Sequence, residues 1–137
     1  MMGMTKRSNQ PLRLLIVEDS KADANLLLQT VRSGGYEPMY ELVDTEPAMR
    51  AALEREDWDL ITSDHRMPQF SAPEALELGK KLRSNVPIII VSGETNPDLV
   101  VSLRKAGARD YVSKAELDKL VPAIDLALRS IACRHEQ

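Results

Sequence analysis

Leu12-Arg13-Leu14-Leu15-Ile16-Val17-Glu18-Asp19-Ser20 is the stretch that decides the fold class. A short aliphatic run that ends on acidic residues is the signature of a strand buried on both faces. Directly after it, Ala24, Leu27, Leu28 and Val31 recur at helical spacing, and Gly34-Gly35 supplies the stop. The alternation then repeats along the chain. Met39 to Val43 reads as a weaker strand, followed by a helix opened by Thr45-Glu46-Pro47 and carrying Met49, Ala52 and Leu53. Asp59 to Ser63 is the third strand, and Ser71-Ala72-Pro73-Glu74, with capping-box spacing, starts a helix that runs to about Leu82. Pro87 to Val91 is the fourth strand and the most apolar run. Asn96-Pro97 caps a helix that Gly107 ends, and Asp110 to Ser113 is the fifth strand. The last helix carries Leu117, Leu120, Val121, Ile124, Leu128 and Ile131 on one stripe. Five strand-then-helix repeats with short connections predict an α/β fold, an open parallel sheet covered by helices on both faces.

The rest of the sequence bounds the class. The 137 residues suit one domain, and chains of this size bury roughly two-thirds of their unfolded surface. Apolar residues make up 43% and charged residues 28%, an ordinary globular balance. A net charge of −3 gives no basic footprint for direct nucleic-acid binding. A single cysteine, Cys133, cannot form an internal disulfide and fits a reducing, cytoplasmic setting. No apolar run approaches the length of a membrane span, so no membrane partner is expected. Residues 1–10 read as a disordered leader, 11–134 as one domain and 135–137 as a tail.

In sheets of this kind, ligands bind outside the carboxyl ends of the strands. Glu18 and Asp19 follow the first strand, Asp64 the third, Ser92-Gly93 the fourth and Lys114 the fifth. Each has an ordinary explanation when taken alone. Acidic residues after strands often cap the next helix, a lone lysine is usually a solvated one, and a lone serine is a common turn residue. Their joint placement on one rim is the informative feature. Clustered carboxylates resist ionisation unless a cation sits among them, and an oxygen-only donor set suits magnesium, with manganese the alternative. Nothing pairs cysteine with histidine for zinc. A carboxylate beside such a cation can attack a phosphoryl group and form an acyl phosphate. A lysine ammonium and a hydroxyl would then neutralise charge on the transferring oxygens. Asp64, Lys114 and Ser92 fit these roles.

These residues resemble the receiver domains of two-component response regulators. The likeness rests on Val17-Glu18-Asp19-Ser20, Asp64-His65-Arg66-Met67-Pro68, Val91-Ser92-Gly93, and the run Lys105-Ala106-Gly107-Ala108-Arg109-Asp110-Tyr111-Val112-Ser113-Lys114. It spans residues 12–132. It implies a doubly wound, flavodoxin-like sheet of order 2-1-3-4-5. It also implies a phosphorelay switch that is phosphorylated on Asp64 by a histidine kinase, a phosphotransfer protein or a small phosphodonor, and that catalyses only its own phosphorylation and dephosphorylation. By the same resemblance Glu18, Asp19, Asp64 and the backbone carbonyl of Arg66 hold the metal. Ser92 and Lys114 meet the phosphoryl group, and Tyr111 turns inward on activation. Leu26, off the buried stripe of the first helix, would meet the phosphodonor protein. Val101 would lie on the face of fourth helix, fifth strand and fifth helix that meets partners or a second copy. Arg66 and Glu94 would flank the phosphoryl group and set its lifetime, the oppositely charged pair shielding it from water or, in the alternative, a free Glu94 orienting the attacking water.

Two positions depart from the family pattern. Ala115 stands where a proline usually follows the lysine, so the start of the last helix is expected to differ. Ala72 replaces a usual glycine, which argues against a left-handed turn there. Two rival readings fit these residues less well. A haloacid-dehalogenase-type hydrolase would want an acid two residues past the nucleophile, where Arg66 stands. A receiver-shaped module that is never phosphorylated would not need the full set of acidic pair, aspartate, hydroxyl and lysine. No output domain is expected after the last helix, and the chain reads either as a stand-alone regulator or as a receiver cut from a larger hybrid protein.

Overall fold

The structure, a computed structural model, describes residues 10–65, 67–93 and 96–136, with side-chain surroundings through residue 129. Five strands and five α-helices alternate. They are β1 (Gln10–Val17), α1 (Lys21–Ser33), β2 (Tyr36–Val43), α2 (Glu46–Arg55), β3 (Leu60–Ser63), α3 (Ala72–Leu82), β4 (Ile88–Ser92), α4 (Pro97–Lys105), β5 (Asp110–Ser113) and α5 (Leu120–Glu136). The sheet is wholly parallel, in the order β2-β1-β3-β4-β5, as expected.

Alternation along the inner strands builds two cores. Leu15 and Val17 of β1, Ile61 of β3 and Ile88 and Ile90 of β4 face α2, α3 and α4, meeting Met49, Leu53, Leu76 and Leu103. Leu12, Leu14 and Ile16 of β1, with Leu60, Ile89 and Val112, face α1 and α5, meeting Leu27, Leu28, Val31, Leu120 and Ile124. A fully buried aliphatic side chain contributes about 1.5–3 kcal/mol relative to exposure, so β1, β3 and β4 hold the fold together. Trp58, the only tryptophan, is buried just before β3 and donates its indole N–H to the Ala52 carbonyl at 2.9 Å.

Polar side chains cap the helix starts. Ser20, Thr45 and Asn96 each accept a backbone N–H from the first turn of α1, α2 and α4. The Glu74 carboxylate accepts from the Ser71 N–H at 2.9 Å and the Ser71 hydroxyl at 3.1 Å. Gly35 and Gly107 take the positive φ that ends α1 and α4, and no described non-glycine residue does so, Ala72 included.

Some boundaries differ from the sequence reading. β1 begins at Gln10, inside the expected leader, because its N–H reaches the Gly35 carbonyl at 2.9 Å. Residues 1–9 lie outside the described residues. β2 begins at Tyr36 and not at Met39; it runs through Pro38, which an edge strand tolerates because one of its sides has no ladder to complete. The Tyr36 hydroxyl donates to the Asp125 carboxylate of α5 and anchors this early start. The last helix is preceded by a 3-10 segment, Lys114–Lys119, with Glu116 at φ −132°, ψ 53°. This segment keeps Leu117 packed against the core, and α5 begins only at Leu120.

Candidate functional site

The register places the chemistry. Val17 pairs with Ser63, Ser63 with Ile90, and Ser92 with Ser113. The residues just beyond, Glu18, Asp64 and Lys114, therefore rise at one carboxyl rim with Ser92. Backbone hydrogen bonds hold the first two in place: the Glu18 N–H donates to the Val43 carbonyl and the Asp64 N–H to the Val17 carbonyl, both at 2.9 Å. Glu18 and Asp64 are 6% and 8% exposed, whereas Asp19 is open to solvent.

One carboxylate oxygen each from Glu18, Asp19 and Asp64 fall within 4.8 Å of one another. The Glu18 carboxylate accepts from the Ser20 N–H at 3.1 Å, and Asp64 Oδ1 accepts from the His65 N–H at 2.7 Å. Lys114 Nζ reaches across from the end of β5 to Asp23 Oδ2 at 2.7 Å, Glu18 Oε1 at 2.9 Å and Asp64 Oδ2 at 3.2 Å. Burial, with the Asp64 charge adding to it, pushes the Glu18 carboxyl up to about 7 against the pull of Lys114 and the Ser20 N–H. Burial works against the Lys114 ammonium too. Its hydrogen bonds to Asp23 and Glu18 and the nearby charges of Glu18 and Asp64 outweigh that and hold it above the ordinary lysine value.

Four carboxylates, those of Glu18, Asp19, Asp23 and Asp64, set against one ammonium leave a net negative cluster built of oxygen donors alone. A carboxyl that resists ionisation where it stands, as Glu18 does, is relieved by a cation. Small oxygen-seeking divalent ions fit that donor set.

The family model of the response regulator receiver domain matches residues 14–125. The chain belongs to this family. Among curated relatives, this receiver is 34% identical to the transcriptional regulatory protein PdtaR of Mycobacterium tuberculosis over 86% of its own length and 57% of the relative's. It therefore spans little more than half of that protein. It is 29% identical to the chemotaxis protein CheY of Thermotoga maritima, over 74% of its own length and 84% of the relative's. A CheY-like receiver domain protein from Methanospirillum hungatei superposes with a TM-score of 0.77 at 28% identity, covering 93% of this chain and 99% of that one. Receiver domains bind Mg2+ through an acidic cluster and interact with histidine kinases or phosphotransfer proteins. Among the described residues, no helix of the receiver is long and apolar enough to cross a membrane.

Of the residues singled out in the sequence, Glu18, Asp19, Asp64 and Lys114 come together, and Ser92, 1% exposed, ends β4 at the same rim. Tyr111 sits on β5, partly buried against the core that faces α2, α3 and α4. Leu26 and Val101 are each 52% exposed, on α1 and α4. Leu26 also lines a cavity of about 50 Å³ with Asp23, Lys114 and Leu117. Arg66 and Glu94, on which the metal carbonyl and the lifetime role were placed, lie outside the described residues. Asp23 was not foreseen. Its one signal was position, four residues past Asp19 in the first turn of the helix that Ser20 caps.

Proposed function

We propose that this receiver is a phosphoryl-accepting switch of a two-component phosphorelay, with Asp64 as the acceptor. The observation that supports it is the state of the Asp64 carboxylate. It is nearly buried, one oxygen is fixed by the His65 N–H, and the other faces Lys114 within reach of Glu18 and Asp19.

An Asp64 oxygen attacks the phosphorus of a phosphohistidine. The phosphorus–nitrogen bond breaks, the imidazole leaves with the electron pair, and an acyl phosphate remains. Lys114 neutralises charge gathering on the transferring oxygens, and Ser92 donates its hydroxyl to one of them. In a separate step that resets the switch, water attacks the phosphorus, the phosphorus–oxygen bond to Asp64 breaks, and inorganic phosphate leaves the free carboxylate. Magnesium held by Glu18, Asp19 and Asp64, with the Arg66 carbonyl as the family pattern has it, supplies further charge neutralisation when bound. The chain acts only on itself, as a signalling switch and not a metabolic enzyme, and the reading places it in the cytoplasm. Its phosphodonor partner docks on α1 near Leu26. The face of α4, β5 and α5, with Val101 exposed on it, meets an output partner or a second copy.

Incubation with acetyl phosphate and magnesium tests the reading by intact mass. The unsubstituted chain should gain one phosphoryl group and Asp64→Asn none. Equal gain by both, or gain by neither, would overturn it.

A further inference from the structure

We propose that Asp23 is a positioning residue. It holds the Lys114 ammonium on the α1 side of the site in the unphosphorylated chain and gives it up when Asp64 carries a phosphoryl group. Phosphorylation thereby breaks a tie between α1 and the segment after β5. The inference rests on the phosphoryl-acceptor reading of Asp64.

An ammonium has three donors. Lys114 places them against three carboxylates, those of Asp23, Glu18 and Asp64, at 2.7, 2.9 and 3.2 Å. The donor set is full, so a phosphoryl oxygen gains Lys114 only if a carboxylate lets go. The long contact is the one to Asp64, so the ammonium sits toward Glu18 and Asp23 and must move to meet a group on Asp64. Glu18, 6% exposed at its side chain, has almost no access to water that could take the ammonium's place. Asp23, 38% exposed, rehydrates when released. It is the partner that yields.

The pair also spans the structure. It joins the first turn of α1 to the residue that follows β5, across 91 positions of sequence. Asp23 and Lys114 line the same small cavity as Leu26 and Leu117. Release of the pair therefore frees the wall of that cavity on the α1 side.

Asp23→Asn keeps the side chain's size and the backbone N–H that donates to the Ser20 cap, and removes the charge. Asp23→Glu keeps a carboxylate. Beryllofluoride affinity at fixed magnesium should tighten roughly two- to fivefold in Asp23→Asn, the range for losing one competing surface-type pair. Asp23→Glu should stay within about twofold of the unsubstituted chain. In metal-free protein labelled with 15N-lysine, the Lys114 ammonium signal should be shielded from exchange, lose that protection in Asp23→Asn and regain it in Asp23→Glu. Equal affinities in all three chains, weaker binding in Asp23→Asn, or an ammonium signal indifferent to the substitution would overturn this inference alone. No phosphoryl uptake from acetyl phosphate by the unsubstituted chain would overturn the acceptor reading, and this inference with it.

Discussion

Glu18 is the residue whose protonation couples the site to stability. Its carboxyl titrates near 7 in the folded chain and near 4.5 when unfolded, because burial disfavours the charged form. The folded state thus keeps a proton that the unfolded state gives up. This contribution is complete below about pH 4.5 and is lost as pH rises to 7, a loss on the order of 2–3 kcal/mol. Lys114 adds no slope in that window, since it stays protonated folded or unfolded. Metal-free protein should therefore lose melting temperature from pH 5 to 7.5 by an amount that Glu18→Gln abolishes; equal slopes in both would refute the assignment. A second residue-scale expectation concerns Thr62, 1% exposed on β3, whose hydroxyl has no hydrogen-bond partner. Thr62→Val removes that unmet group and should stabilise by about 1 kcal/mol in urea titrations; a loss of stability would show that the hydroxyl is satisfied in solution. At this scale the candidate site was legible wherever a polar side chain stood at the carboxyl end of a strand, as Glu18, Asp64, Ser92 and Lys114 do. Asp23 was not, because an acidic residue in a first helical turn already has a local reason to be there, the helix dipole.

The elements tell where periodicity suffices and where it does not. α1 was readable from Ala24, Leu27, Leu28 and Val31, and all four are buried. The beginning of β2 was not, since Pro38 argues against a strand unless the strand is known to lie at an edge. The 3-10 segment before α5 was hidden because Leu117 lies in phase with the helical stripe that follows it. The join between α1 and α5 is unusually close. A Cβ added at Gly34 would stand 2.5 Å from Val121 Cγ2 and 2.7 Å from Cγ1, and a branched side chain in a helix has little freedom to turn aside. Gly34→Ala should cost about 1–3 kcal/mol by thermal melting, and adding Val121→Ala should recover most of it. An additive double mutant would mean that the contact is not the cause. On the outer side of α1, Leu26→Glu should slow transfer from a phosphohistidine protein about tenfold while acetyl phosphate labels as before. Equal loss with both donors would point to damaged folding or chemistry.

Across the whole molecule, α1 and α5 on one face and α2, α3 and α4 on the other bury β1, β3 and β4, the division that right-handed crossovers give for this parallel order. That much was legible, because strands covered on both sides must be apolar throughout. If activation works through the face of α4, β5 and α5, its signature is an equilibrium between two arrangements that ligands weight differently. Beryllofluoride with magnesium should change amide-exchange protection across residues 97–113, and unchanged protection there would count against that face. The placement of Trp58 bears on how all these quantities can be measured. It lies ahead of β3 and Asp64 lies past its other end, separated by a strand of about 13 Å. The chain thus carries an intrinsic fluorophore that is shielded in the interior and remote from the charged rim. Its emission should shift red on denaturation yet ignore ligands at the acidic cluster, which makes it a built-in optical thermometer for the fold, unclouded by what the switch is holding.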